Sequence, residues 1–383
     1  MTIRLSEHDP TALRVSVFPL GSKEKEEDLM RLFNNAPLSV RGWCLQESVL
    51  LPRILYYGKS RIYWRCADGF KSSDGIYPGS KMPDSTFLYP TLSAVLRAGS
   101  QGGAADRKAL LAEYYDLVRD FNGRKLTVPS DKLSAFSGVA QRVHGASGGY
   151  YLAGLWSEDI RAGLLWLKET RWADHVGPYR APSWSWAVTD EQVIFYESAS
   201  GDEEAANMRL VAFDARLKDE SNPYGEVVSA HIVVQGLTVE LWRTFEVVDP
   251  DEGGMQRSWV EWDEPVIADD GDTARWMISM RVVEERQVGS RRPPRLVEVV
   301  ERRWSYDEED WCRKGLHKVP PREYVALLVD KIPKGGSRLE GGQCLVLERH
   351  GEEGVYRRAG FVLLADYPAE RFREWTDRTL KIV

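Results

Sequence analysis

The chain has 383 residues, 43% of them hydrophobic and 28% charged. That balance excludes a disordered chain, and the length exceeds what one small core would use. A formal net charge of −7 argues against nucleic acid or an anionic membrane as the main partner.

In chain order, residues 12 to 19 ("ALRVSVFP") alternate like a strand, and "KEKEED" (23 to 28) reads as a solvated charge run. In "PLSVRGWCLQESVLLPRIL", Trp43, Gln46, Glu47 and Leu50 recur at helical spacing until Pro52 ends the pattern. "RIYWRC" (61 to 66) predicts a strand, and residues 67 to 104 predict a long Gly/Ser/Pro-rich loop. Three helices follow, in "RKALLAEYYDLVRDF", "SDKLSAFSGVAQRV" and "WSEDIRAGLLWLKE". Ser130 or Asp131 is the expected N-cap of the second, and Ser157 of the third. In "YRAPSWSWAV" Pro182 blocks a helix, so an extended chain would put Trp184 and Trp186 on one face. From about residue 191 the period falls to two, in "QVIFYE", "RLVAFDARL", "AHIVVQGLTVELW", "RWMISMRVV", "RLVEVVERRW", "EYVALLVD", "QCLVLER" and "YRRAGFVLLA". The expected fold class is α+β, and the two tryptophans are expected to plug the junction between the helical segment and the β-rich half.

Cys44, Cys66, Cys312 and Cys344 form no CxxC or Cys/His cluster, and the histidines at 144, 175, 231, 317 and 350 lack metal spacing. No metal site is expected. The first twenty residues lack a signal-peptide pattern, and no apolar run nears the ~18 residues of a membrane span. The expectation is a cytoplasmic chain with reduced thiols. Cys44 has no histidine near it in sequence and reads as an inert thiol. Asp131 and Lys132 read as a helix start rather than as catalytic groups. "SQGGAAD" lacks the preceding strand and the Lys-Ser/Thr of a phosphate loop.

Several of these segments resemble a known family. "PLSVRGWCLQESVLLPRILYYGKSRIYWRC" resembles the last conserved block of the fungal heterokaryon-incompatibility (HET) domain. "LTVPSDKLSAFSGVA", "YYLAGLW", "LLWL" and "YRAPSWSWA" resemble the segment that follows it in many HET-domain proteins, and "VYRRAGFVLL" resembles their C-terminal β region. Two earlier blocks of the family, a Ser-Tyr-Cys/Val-Trp-Gly type strand and a Trp-Ile-Asp plus Cys-Ile-Gln pattern, are absent from this sequence. The resemblance therefore implies a family member missing its front half, either by true truncation or by a misplaced start. Its expected parts are a HET-domain remnant at 1–70, a loop and three-helix segment at 71–190 ending in "PSWSW", and an antiparallel β-rich domain at 191–383.

"WCLQE" also resembles the Trp-Cys-Leu-Asp-Glu run of many TIR domains, whose final glutamate cleaves NAD. By position Glu47 would be that carboxylate and Trp43 its aromatic neighbour. Cleaving the glycosidic C–N bond builds positive charge on the ribose, which a nearby carboxylate stabilises. Trp43 and Glu47 are i and i+4 and share a helix face. In the competing reading Trp43 is core, and Arg41 or Arg53 pairs with Glu47. The implied function is fungal allorecognition and programmed cell death, with this chain as a non-catalytic interaction or regulatory module. The alternative is a TIR-like NAD hydrolase. The first reading expects protein partners and no nucleic acid, membrane or cofactor; NAD enters only the second, as substrate.

Overall fold

The computed structural model describes residues 2–4, 14–16, 36–58, 61–66, 69–73, 104–168, 178–196, 208–248, 259–262, 276–282, 297–304, 322–332, 340–365, 367 and 369–383. The fold is mixed α+β, with helices and a β-rich region. The chain divides into two compact units, one of residues 1–39 and 52–88, the other of residues 40–51 and 89–383. The "KEKEED" run, Cys312, His175, His317 and "SQGG" lie outside the described residues.

In the smaller unit, strands β1 (Thr2–Arg4) and β2 (Arg14–Ser16) pair antiparallel. Strands β3 (Ile54–Tyr57), β4 (Ile62–Cys66) and β5 (Gly69–Ser72) form an antiparallel meander in that order. β5 falls inside the stretch expected to be loop. Tyr63 and Phe70 explain it: both are buried, and their rings stack 5.3 Å apart. That contact holds a short strand which too few residues of clear period announce.

The larger unit begins with helix α1 (Gly42–Leu50). Helix α2 (Ala104–Asn122) buries Leu110, Tyr114, Leu117 and Phe121, the predicted stripe. The second predicted helix is three pieces: 3₁₀ turns at Pro129–Lys132 and Ser134–Phe136, then helix α3 (Ser137–Ser147). Lys132, Leu133, Ala135 and Phe136 are all buried, and one apolar face of a continuous α-helix does not place four such neighbours inward. The hairpin β6 (Tyr151–Leu152) and β7 (Leu155–Trp156) follows. The third predicted helix shrinks to α4 (Ile160–Leu164) and gives way to strand β8 (Trp166–Lys168), which pairs with β9 (Val193–Phe195). Leu164, Leu165, Trp166 and Leu167 are consecutive and buried, which again defeats a one-faced helix. Ser157 does not cap α4; Asp159 holds the N-cap position, with no side-chain cap bond.

One long strand, β11 (Val227–Val248), organises the main sheet. Along one edge it pairs first with β10 (Arg209–Leu217) and then with β15 (Arg322–Ile332). Along the other it pairs with β18 (Thr376–Ile382) and then, in parallel, with β14 (Val297–Trp304). β15 continues to β16 (Gly341–Arg349) and β17 (Val355–Ala365), both antiparallel. β17 meets β18 in a short parallel pairing at Val355↔Lys381 and Tyr356↔Ile382. The pairings β11–β15–β16–β17–β18–β11 thus close a circuit. Strands β12 (Trp259–Trp262) and β13 (Trp276–Val282) add to β17 and β14.

The middle of β15 and β16 is buried on both faces. Val325, Leu327 and Leu345 belong to a core shared with the helices, while Ala326, Leu328, Cys344 and Val346 pack with Phe372 and Trp375. Burial pushes the Cys344 thiol up. Among the described residues no helix is long and apolar enough to cross a membrane.

Candidate functional site

Helix α1 carries both sequence-predicted site residues. The backbone fixes its start: Gly42 N–H donates to the Lys125 carbonyl (2.8 Å) and Lys125 N–H to the Val40 carbonyl (2.7 Å). A Cβ at residue 42 would stand 2.5 Å from the Leu126 side chain, so a larger residue here would force Leu126 to move. Leu45 and Val49 point into the core, and Gln46 packs against Gly138. Trp43 and Glu47 share the opposite face, as their spacing predicts. The expectation of a core Trp43 fails, because the ring is 41% exposed. Glu47 is exposed too, and among the described residues it makes no ion pair with Arg41. The physical reason lies in the neighbours: Gly42, Leu45 and Val49 already fill the inward arc, so i and i+4 at 43 and 47 fall on the outside.

The other motifs converge in one interior. Trp184 and Trp186 are buried, as expected, but Trp186 opens a 3₁₀ turn (Trp186–Val188) rather than lying in an extended run. The Trp186 indole N–H donates to the Gly154 carbonyl (2.8 Å), which also accepts the Tyr114 hydroxyl (2.9 Å). Gly154 has φ +104°, and a Cβ there would sit 2.6 Å from the Trp186 nitrogen. Ser185 Oγ donates to the Ala153 carbonyl (2.5 Å) and accepts from Ala187 N–H (3.1 Å). Phe121 and Phe136 meet the Trp186 ring edge-on. The Trp166 indole donates to the Trp184 carbonyl (2.9 Å). Arg358 of β17 lies buried 3.6 Å from the Trp166 ring centroid and donates to the carbonyls of Leu164 (2.9 Å) and Trp166. "YLAGLW", "LLW", "PSWSW" and "YRRAGF" are therefore one clamp between helices and sheet.

Two cations close the clamp. Lys132 is 1% exposed and donates to the Thr189 carbonyl (2.7 Å). Burial, with Arg180 nearby adding and Asp190 opposing, pushes its pKa down to about 7. Arg180 donates to the carbonyls of Ala187 (2.7 Å) and Val188 (3.0 Å) and pairs with Asp190 (2.7 Å). Asp131 caps nothing; the residue ahead of its turn is Val128. His144 is structural as well. Its Nε2–H donates to the Gly149 carbonyl (2.9 Å), since a carbonyl only accepts, which leaves Nδ1 to accept the Tyr224 hydroxyl (2.6 Å). Cys44 is half-buried.

Beside the clamp the larger unit opens a cleft of about 550 Å³. Tyr179 and Arg180 line it from one side, and His231, His350, Arg357 and Lys381 from the sheet. Register explains the convergence. Ile382 pairs with Ile232 and with Tyr356, all three buried, so the alternate residues His231, Arg357, Lys381 and Val383 face the other way. Arg357 is held by Glu348 (2.8 Å) and Arg180 by Asp190. The side chains of His231, His350 and Lys381 have no hydrogen-bond or ion-pair partner among the described residues. Burial raises the Tyr179 pKa, opposed by the Ala230 backbone N–H. Sequence reasoning passed over this group, because its members are far apart in the chain and only strand pairing brings them together. Among the described residues no three His, Cys, Asp or Glu side chains gather as a metal site.

Comparison of the chain with protein-family models, with curated proteins and with solved structures finds no match in any of the three.

Proposed function

We propose that this chain is a cytoplasmic HET-type protein of fungal non-self recognition that acts as a non-catalytic interaction or regulatory module. The observation that carries this reading is the orientation of α1. Its motif residues Leu45 and Val49 hold the helix in the core, while Trp43 and Glu47 stand exposed on its outer face. A carboxylate that stabilises a ribosyl cation works best where water is excluded and its own position is fixed by partners. Glu47 has neither. A large exposed ring, by contrast, is the kind of side chain that anchors a protein–protein contact. The partner implied is a protein rather than a nucleic acid or membrane.

The second reading, NAD cleavage by Glu47 beside Trp43, keeps one favourable observation: the two side chains do share one accessible face. NAD turnover by the purified full chain separates the readings. The expected result is none above a buffer blank, unchanged in Glu47→Gln. Turnover that disappears in Glu47→Gln overturns the proposal and makes Glu47 catalytic. The positive test is expression in a filamentous fungus confronted with a genetically distinct strain. The wild-type chain should alter the contact zone and Trp43→Ala should not; equal behaviour of the two removes α1 from the interaction.

A further inference from the structure

We propose that the cleft between the "PSWSW" segment and the β17–β18 junction binds a phosphate ester carrying a planar ring, a ligand of mononucleotide size. At about 550 Å³ the cleft is within the range of small-molecule sites. Its lining holds Arg180, His231, His350, Arg357 and Lys381 and, among the described residues, no Asp or Glu; the Val383 carboxyl group also borders it and accepts from the Ser183 N–H (3.1 Å). The whole chain has net charge −7, so this local excess of cationic and imidazole groups runs against its composition. The arginines have carboxylate partners; among the described residues Lys381, His231 and His350 do not. Donors without acceptors, converging from separate strands and a loop, are what a multiply charged oxyanion satisfies. A phosphate offers more acceptor oxygens and more charge than a carboxylate, and so fits a site with several such donors.

The rest of the lining fits a ring. Pro178, Ala181, Val188 and Ala230 are apolar, and the Tyr179 ring is 53% exposed beside them. An aromatic face at the mouth of a cationic cleft stacks a base or other planar group while the phosphate lies among the donors. The site is made from the register of β11, β17 and β18 and owes nothing to Glu47.

Isothermal titration of the full chain with AMP, ribose 5-phosphate and adenosine tests this. AMP is expected to bind, ribose 5-phosphate more weakly, and adenosine least. Lys381→Gln and His231→Ala should each weaken AMP about tenfold or more, and raising the salt should weaken it further. Neither residue is in the core or, among the described residues, has a side-chain partner, so the thermal melting of both variants should match wild type, which separates lost binding from lost folding. Tyr179→Ala should weaken AMP and leave ribose 5-phosphate unchanged. Absence of heat with AMP, or unchanged affinity in both Lys381→Gln and His231→Ala, overturns the site. Ribose 5-phosphate binding as tightly as AMP overturns the role given to the ring.

Discussion

Lys132 and Lys381 belong to adjoining regions of the larger unit and are treated in opposite ways. Lys132 sits in the clamp, nearly without exposure, its ammonium bound to the Thr189 carbonyl and its pKa pushed down to about 7. Lys381 sits in the cleft, exposed and, among the described residues, without a side-chain partner. Arg180 and Val188 border both regions, since Arg180 locks the 187–190 turn from behind and lines the cleft in front. The difference teaches how to sort polar side chains by what their donors meet. A buried cation whose donors end on a backbone carbonyl and a carboxylate, as Lys132 does on Thr189 and Asp190 (3.5 Å), fixes a turn; an open one without an acceptor is available to a ligand.

Breaking the clamp should have the largest effect. Trp186→Ala removes a fully buried ring, its two edge contacts with Phe121 and Phe136 and one of two donors on the Gly154 carbonyl. A loss of about 3–5 kcal/mol in urea unfolding is expected, the usual range for truncating a core tryptophan. A loss under about 1 kcal/mol, typical of surface changes, would mean that the ring is no plug.

The pH dependence sharpens the contrast between the lysines. The folded pKa of Lys132 lies below its unfolded value of 10.5. Below pH 7 both states hold the proton and the full cost of burying the charge is present. Between about 7 and 10.5 the unfolded chain holds the proton that the folded chain has released, so stability rises with pH. Over pH 7 to 9 the gain is of the order of 2 kcal/mol at most. Cys344, Tyr114 and Tyr115, all raised by burial, pull the other way at higher pH. The difference between wild type and Lys132→Met, taken in urea at pH 7, 8 and 9, removes those shared contributions. A pH-independent difference would show that the ammonium is not desolvated.

How much of this was legible in the sequence follows from the range of the interactions. The stripe of α2 and the burial of Trp184 and Trp186 could be read from periodicity and composition, since they follow from local spacing. The 3₁₀ breaks around Lys132 could not, because Thr189, which accepts from its ammonium, lies far along the chain. β8 was hidden for a related reason: four consecutive buried residues carry no period at all. The cleft was invisible, since His231, Arg357 and Lys381 meet only through the β11–β18 and β17–β18 registers. Of the two readings of Trp43, the core one fails, because helix phase and not hydrophobicity decides its exposure.

Glu47 is expected to have the smallest effect, and it tests whether α1's outer face belongs with Lys381 rather than with Lys132. Had Glu47 been a buried partner of Arg41, removing it would strand a charge at a cost of about 3–5 kcal/mol. Instead it is exposed, lies on the face away from Leu45 and Val49, and makes no ion pair with Arg41 among the described residues. Glu47→Gln keeps the shape and helix propensity of the side chain while removing its charge. The expected change in urea midpoint corresponds to under about 0.5 kcal/mol, with an unchanged slope. A cost above about 2 kcal/mol would place Glu47 in a desolvated pair and return it to the structural side of the comparison. The null effect also makes the NAD assay interpretable, because a variant that folds like wild type reports on chemistry alone.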